Sequence, residues 1–379
     1  MSEVREFDPG LSEITAPAAA RLEGIDFARA VAFLGMMMVN FHIYIHNADT
    51  DPVWATQLAS LFSGRAAATF VFIAGVGTAL LTARWRRTRD QTDRRSARLS
   101  LLKRGLFLFI VGVSFRAQWP YDILHFYGAY LALAALVFTL SARWIILLAI
   151  LTACGFVALY LALPPLTGID YWESPGFDAP GAAIRDVFFT GHHPVFPWFA
   201  FFLAGLAVGR IDLHKPANQW RLLIGGVVLI SLAKAIKFAA LDLNYVKLMP
   251  VEEWGFALPY IADLLGSSAY PPTPIYVMFG LGVGLIVLSL SLMLCASESR
   301  RKLVQPVIHA GQMALTLYLG HVFIGVTGIE WFLPREMEST FWLYGIVIAF
   351  FIASVVFATL WRTHFKRGPV EWAMRRLVD

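Results

Sequence analysis

Apolar stretches of about 20 residues, long enough to cross ~30 Å of hydrocarbon as helix, recur along this 379-residue chain and leave it little choice of fold. They fall approximately at 27 to 46, 65 to 83, 103 to 117, 122 to 141 and 143 to 162, and then at 194 to 210, 219 to 241, 273 to 295, 305 to 327 and 339 to 361. A segment inside a bilayer must satisfy its own backbone polar groups, so the expected class is all-α, a polytopic transmembrane helix bundle of about ten spans. With 58% hydrophobic and 15% charged residues, an ordinary soluble domain is excluded. The third span is short, and 241 to 272 holds enough apolar residues for a re-entrant segment. The residues before Phe27 are polar and acidic, with no apolar stretch ahead of a small-residue cleavage site, so the first span is expected to be retained.

Most of the 31 Lys and Arg residues lie in the loops 84 to 104, 142 to 143, 210 to 221 and 297 to 302 and in the two tails. Arg65, Arg116, Arg185, Lys247 and Arg335 fall in the alternate loops. The positive-inside rule then puts both termini in the cytoplasm. The net charge of +5 is an orientation signal and not a nucleic-acid footprint. The basic run from Arg84 to Arg98 is read first as that signal with lipid contact, and second as a site for a phosphorylated cofactor. The organisation expected is an N-terminal tail over 1–24, a transmembrane domain over 25–363 and a C-terminal tail over 364–379. Its outer loops, 163–193 and 242–272, suit a lid or substrate platform, and Gly181 to Phe189 reads as a short interfacial helix. Cys154 and Cys295 lie in apolar segments, where buried packing without a disulfide is expected.

Polar residues inside the spans are expensive and need partners or a task. The first span carries Asp26, Arg29, Asn40, His42 and His46. Arg29 and Asn40 share one helix face about 16 Å apart along the axis, whereas His42 and His46 share another. Asn40 therefore meets His46 only if the helix ends or unwinds between them. Six histidines, His42, His46, His125, His192, His193 and His321, are expected in the outer half of the bundle from four separate segments. Convergence of that kind suits a catalytic or proton-relay site, while ordinary interfacial histidines are the plain alternative. Lys237 can snorkel to the interface; Lys234, deeper, reads as a salt-bridge partner or an anion contact.

Other chemistries lack their signatures. No HExxH or paired-Cys pattern accompanies His42 and His46, so no metal is expected. A GxSxG elbow and a P-loop are both missing. Gly75, Gly77, Gly205, Gly209, Gly280, Gly282 and Gly284 mark small-residue faces for close helix packing.

Ordered motifs run along nearly the whole chain: Arg21, Asp26, Arg29 and Asn40 in the first span, GRAAATFVFIAGVGTAL from Gly64, KRGLFLFIVG from Lys103 and DILHFYG from Asp122. GHHPVFPWFAFFLAGLAVGR from Gly191, AGQMALTLYLGH ending at His321 and GPVEWAMRR from Gly368 complete the set. Together they resemble the YeiB-like family of bacterial membrane proteins, related to heparan-α-glucosaminide N-acetyltransferase in a transmembrane acyltransferase superfamily. Ala30 departs from the Gly that commonly follows the Arg in that family.

The resemblance implies transfer of an acyl group, typically acetyl, from cytoplasmic acyl-CoA to an amine or hydroxyl of an extracytoplasmic sugar or related acceptor. It implies an active-site role for Asn40 and for a following histidine, His46 by position or else His42. On that reading Asn40 donates to the developing oxyanion, and His46, His42, His125 and His193 are the candidate bases. Arg29, Lys103 and Arg104 are the candidate CoA ligands, and His192, His321 and Lys234 the acceptor contacts. Asp26 pairs with Arg29 or Arg104. The expected partners are the lipid bilayer, acyl-CoA, the acceptor and, in a homodimer, a second copy; nucleic acid is not among them. The rival reading is a proton-coupled transporter or exporter of a small anionic or glycan-like solute, built from the same residues. A scaffold whose polar groups only specify packing is the third.

Overall fold

Helices are the elements throughout the computed structural model, which describes residues 22–45, 51–167, 177, 179–239, 264–266, 269–333 and 339–378. They are α1 (Glu23–His42), α2 (Val53–Ser60), α3 (Arg65–Leu81), α4 (Ala83–Thr88), α5 (Gln91–Ser114), α6 (Leu124–Val137), α7 (Ala142–Thr167), α8 (Pro180–Arg185) and α9 (Val195–Val208). There follow α10 (Pro216–Lys237), α11 (Pro274–Cys295), α12 (Glu298–Leu303), α13 (Gln305–Gln312), α14 (Ala314–Gly320), α15 (Thr327–Phe332), α16 (Thr340–His364) and α17 (Pro369–Val378). Two π-helical turns, Asp186–Thr190 and His321–Val326, extend α8 and α14.

A helix lies on each of the ten expected spans, and the chain is an all-α polytopic membrane bundle. By length and apolar composition 7 helical segments among the described residues are long enough to cross a membrane. The remainder are α6 and α9, apolar but of 14 residues each, and α5, whose first half is basic. Burial orders the bundle: 67% of the apolar window of α1 is buried against 22% for α10 and α16. The first span, with Asp26, Arg29 and Asn40, is thus central, and α10 and α16 form the rim, where large apolar side chains such as Ile224, Ile348 and Leu360 are exposed as lipid contact requires.

α1 packs against α3, α11, α13 and α16. At Gly311 on α13 an added Cβ would overlap the Asp26 carbonyl, so only glycine lets the two helices touch there. The α3–α9 crossing is built the same way, with Gly75 against the Phe202 carbonyl and Gly205 against that of Phe72. The C-terminal helix α17 folds back on the bundle. Glu371 Oε1 accepts the Leu315 and Thr316 amides at 2.8 and 3.1 Å, capping α14, and Lys103 Nζ donates to the Val378 carbonyl at 2.9 Å.

One expectation changes. Cys295 is buried, but Cys154 is exposed on α7, on an apolar helix where a thiol tolerates lipid. The 181–189 segment is helical, α8 continuing into a π turn that carries Asp186 into the core, 1% exposed. α1 ends at His42 in a turn through Ile45, and His46 lies outside the described residues, as do 168–176, 178, 240–263 and 267–268 of the two long loops.

Candidate functional site

The Arg29–Asn40 face of α1 runs past two cavities. The larger, about 960 Å³, is basic, with Arg29, Arg104, Arg362, Lys366, Arg367 and Arg375 in its wall. Arg29 Nη1 is held by Asp26 Oδ1 at 2.7 Å, and Asp26, 2% exposed, also accepts from Gln312 Nε2 at 3.4 Å. α17 supplies Arg375 to this wall because Glu371 and Val378 are anchored as described. Lys103, expected beside Arg104, spends its amine on Val378 and is not part of the wall.

The second cavity, about 290 Å³, has Met36, Asn40, Tyr121, His192 and His193 in its wall and, among the described residues, no Lys, Arg, Asp or Glu. Tyr318 lines both cavities. One aromatic residue is thus common to the walls of a cationic chamber and an uncharged one.

Asn40 is fixed from behind. Its Nδ2 donates to His321 Nε2 at 2.8 Å, and His321 Nδ1 donates to the Tyr318 carbonyl. That second bond fixes the tautomer: the proton sits on Nδ1, so Nε2 accepts. The rings of Phe33 and Phe41, at 5.7 and 6.2 Å, clamp the imidazole, which is fully buried. His321, expected to contact the acceptor, is bonded to Asn40, whose second amide hydrogen and carbonyl oxygen remain for the cavity.

His192 and His193 reach the cavity from the turn before α9. The His192 ring packs on Tyr121 at 4.7 Å and that of His193 on Trp198 at 4.6 Å. Tyr130 donates to the His193 carbonyl at 2.6 Å and holds the turn, while His193 Nδ1 is buried without a partner among the described residues. Burial pushes the His193 imidazole well below its ordinary value, and the neighbouring His192 and His125 add to that. Burial lowers His192 too, against the pull of Asp186. Both rings are neutral at pH 7.

His125 is 1% exposed and touches neither cavity wall. Its Nδ1 lies 2.9 Å from Asp122 Oδ2 and its Nε2 3.5 Å from Asp186 Oδ2. Asp122 has a folding role that explains the DILHFYG motif: its carboxylate accepts the Leu124 and His125 amides at 3.0 and 3.1 Å and starts α6. It also accepts the Tyr318 hydroxyl at 3.3 Å. Asp122 and Tyr318 are read from the sequence only as members of motifs, and Asp122, Asp186 and Tyr318 are not expected there as site residues. The available signals are an acid three residues before a histidine in the first turn of α6 and a tyrosine three before His321. His42 is half-buried near the end of α1 and lines neither cavity, and Lys234 is exposed on α10.

Among the described residues no cluster of His, Cys, Asp and Glu has the form of a metal site. The basic chamber fits a long anion, since guanidinium groups bind phosphate in bidentate fashion.

Comparison with known proteins gives two family matches. Residues 21–227 match the family described as "Heparan-alpha-glucosaminide N-acetyltransferase, catalytic", and residues 209–379 match "Protein of unknown function (DUF418)". The "Uncharacterized protein YeiB" of Escherichia coli (strain K12) is 38% identical over 81 residues, which is 21% of this chain and 21% of YeiB. That alignment spans about a fifth of the relative's length. Asn40, the His192–His193 turn and Asp122 fall in the first family match, and Tyr318, His321 and α17 in the second.

Proposed function

This chain belongs to the heparan-alpha-glucosaminide N-acetyltransferase catalytic family, and from that premise we propose that it is an acyl-CoA-dependent transmembrane acyltransferase of the bacterial inner membrane. It moves an acetyl or related acyl group from cytoplasmic acyl-CoA to an amine or hydroxyl of an extracytoplasmic sugar or similar acceptor. The observation that carries this reading is Tyr318 as common wall of a cationic and an uncharged cavity. A donor with several phosphates suits the first and a neutral acceptor the second, so thioester and nucleophile meet beside one residue. The ~16 Å from Arg29 to Asn40 along α1 is comparable with an extended pantetheine arm.

In this mechanism Arg29, Arg104 and the α16–α17 cations hold the phosphates. Asn40, oriented by His321, donates its remaining amide hydrogen to the thioester oxygen as it takes on negative charge, an effect worth about 10²–10³ in rate. His193, neutral and with an unpartnered Nδ1, removes the acceptor proton during attack. The excess of basic residues at the Arg29 end supports a cytoplasmic position for that end.

The test offers radiolabelled acetyl-CoA to the purified protein with and without glucosamine and follows CoA release and label transfer. Turnover that disappears in Asn40→Ala is expected. Solute movement in proteoliposomes without any acyl-CoA turnover would select the proton-coupled transporter instead.

A further inference from the structure

Beyond the groups that reach the acceptor lies a buried chain of titratable side chains. It starts at the Tyr318 hydroxyl, 2% exposed, which accepts the Ile123 amide and donates to Asp122, both at 3.3 Å. Asp122 continues to His125 at 2.9 Å, His125 to Asp186 at 3.5 Å, and Asp186 to Arg116 at 2.8 Å, where the side chain is 18% exposed. Asp122 and His125 come from the start of α6, Asp186 from the π turn after α8 and Tyr318 from α14. A neutral imidazole has one N–H, so it can donate to only one of the two carboxylates; imidazolium donates toward both. Capping α6 accounts for Asp122 alone. A buried histidine between two buried acids, leading to the hydroxyl of a tyrosine that lines both cavities, is built to move a proton.

We propose that Tyr318 is the general acid that protonates the departing CoA thiolate, resupplied by His125 through Asp122. The proposal rests on the acyl-transfer reading. As the acceptor nitrogen or oxygen bonds to the acyl carbon, the carbon–sulfur bond breaks and sulfur leaves with the electron pair, while the acceptor proton goes to His193. Tyr318 gives its hydroxyl proton to sulfur. Asp122 Oδ2 takes the Nδ1 proton of His125 and, after a half-turn of the carboxyl group, restores the phenol. His193 then releases its proton to water in its cavity, and His125 Nδ1 regains one from that water back through Tyr318 and Asp122, its Nε2 proton staying toward Asp186, so the net products are acylated acceptor and CoA thiol. Within this chain of groups only Tyr318 touches the reacting atoms; Asp122 and His125 act through it.

The test compares acetyl-CoA with its selenoester analogue, whose selenolate leaves without needing a proton, on full-length protein in nanodiscs with glucosamine or water as acceptor. Tyr318→Phe keeps the ring and removes the hydroxyl. Its kcat with the thioester is expected to fall about 100-fold, with the KM for acetyl-CoA unchanged, and with the selenoester less than about tenfold. Asp122→Asn is the second variant and is expected to reproduce the same leaving-group dependence, with intact acetyl-CoA binding reporting the fold. Equal losses on both donors, or no loss, in a variant that still binds acetyl-CoA overturn the proposal and leave acyl transfer standing. A wild-type protein that releases no CoA from either donor overturns both.

Discussion

Asn40 and His321 are 281 residues apart in sequence, and their side chains meet at 2.8 Å, amide Nδ2 on imidazole Nε2. The contact joins the central helix to the π turn after α14 and orients the one amide in the uncharged cavity wall. Replacing Asn40 by Ala removes the donor to the developing oxyanion and is expected to lower kcat for acetyl transfer by about 10²–10³. His321→Ala leaves Asn40 present but unoriented, so a smaller loss, roughly tenfold to 100-fold, is expected with an unchanged KM for acetyl-CoA. Initial rates at varied acetyl-CoA separate the two; an Asn40→Ala variant with wild-type kcat would remove Asn40 from the mechanism.

Arg104 lines the basic cavity while its neighbour Lys103 is tied to Val378. Arg104→Gln and Arg367→Gln are each expected to raise the KM for acetyl-CoA about tenfold, from the loss of roughly 1.5 kcal/mol per charge-assisted contact. Lys103→Gln is expected to leave that KM unchanged and to lower stability by about 1 kcal/mol through the lost anchor of α17. Steady-state kinetics and thermal unfolding on the three variants check this. A KM shift in the Lys103 variant equal to that of Arg104 would contradict the assignment.

Gly205 lies against the Phe72 carbonyl where α3 and α9 cross. Gly205→Val forces the two backbones apart and is expected to destabilise the bundle by about 1–3 kcal/mol or more. The readout is the detergent-solubilised unfolding midpoint. Gly155→Val on α7, where a Cβ meets nothing within 4 Å, is the matched control and should stay near wild type.

His193 must be neutral to act as base, and burial holds it well below the ordinary value of 6.5, with His192 and His125 adding to the shift. The sign follows directly: activity that needs the neutral ring is present above the lowered value and lost as pH falls through it. The kcat/KM profile is therefore expected to stay flat from about pH 8 to below 6.5 before its acid limb begins. The same group weakens folding below pH 6.5, because the unfolded chain takes up a proton there that the folded chain refuses. A pH–rate profile with its acid limb centred at or above 6.5 would remove His193 as the base.

Read alone, the sequence is enough for the class of fold, because a bilayer admits only segments that satisfy their own backbone, and their length and polarity are visible residue by residue. It also pointed to the first span: Arg29 and Asn40 line the two cavities from the face that helical periodicity predicts. What it could not determine was who meets whom. Local periodicity made Asn40 and His46 an awkward pair, and the partner of Asn40 came instead from α14's π turn, since side-chain contacts between helices depend on packing order and crossing distance. The basic tail was legible as charge, but its place in the cavity wall depended on Glu371 and Val378 reaching α14 and Lys103. The acid–histidine–acid chain behind Tyr318 is likewise assembled from three segments, so no window of the sequence contains it. Composition and period act along the chain and can be read from it; the site is made of distances across the bundle, which glycine-mediated packing sets only when the helices close.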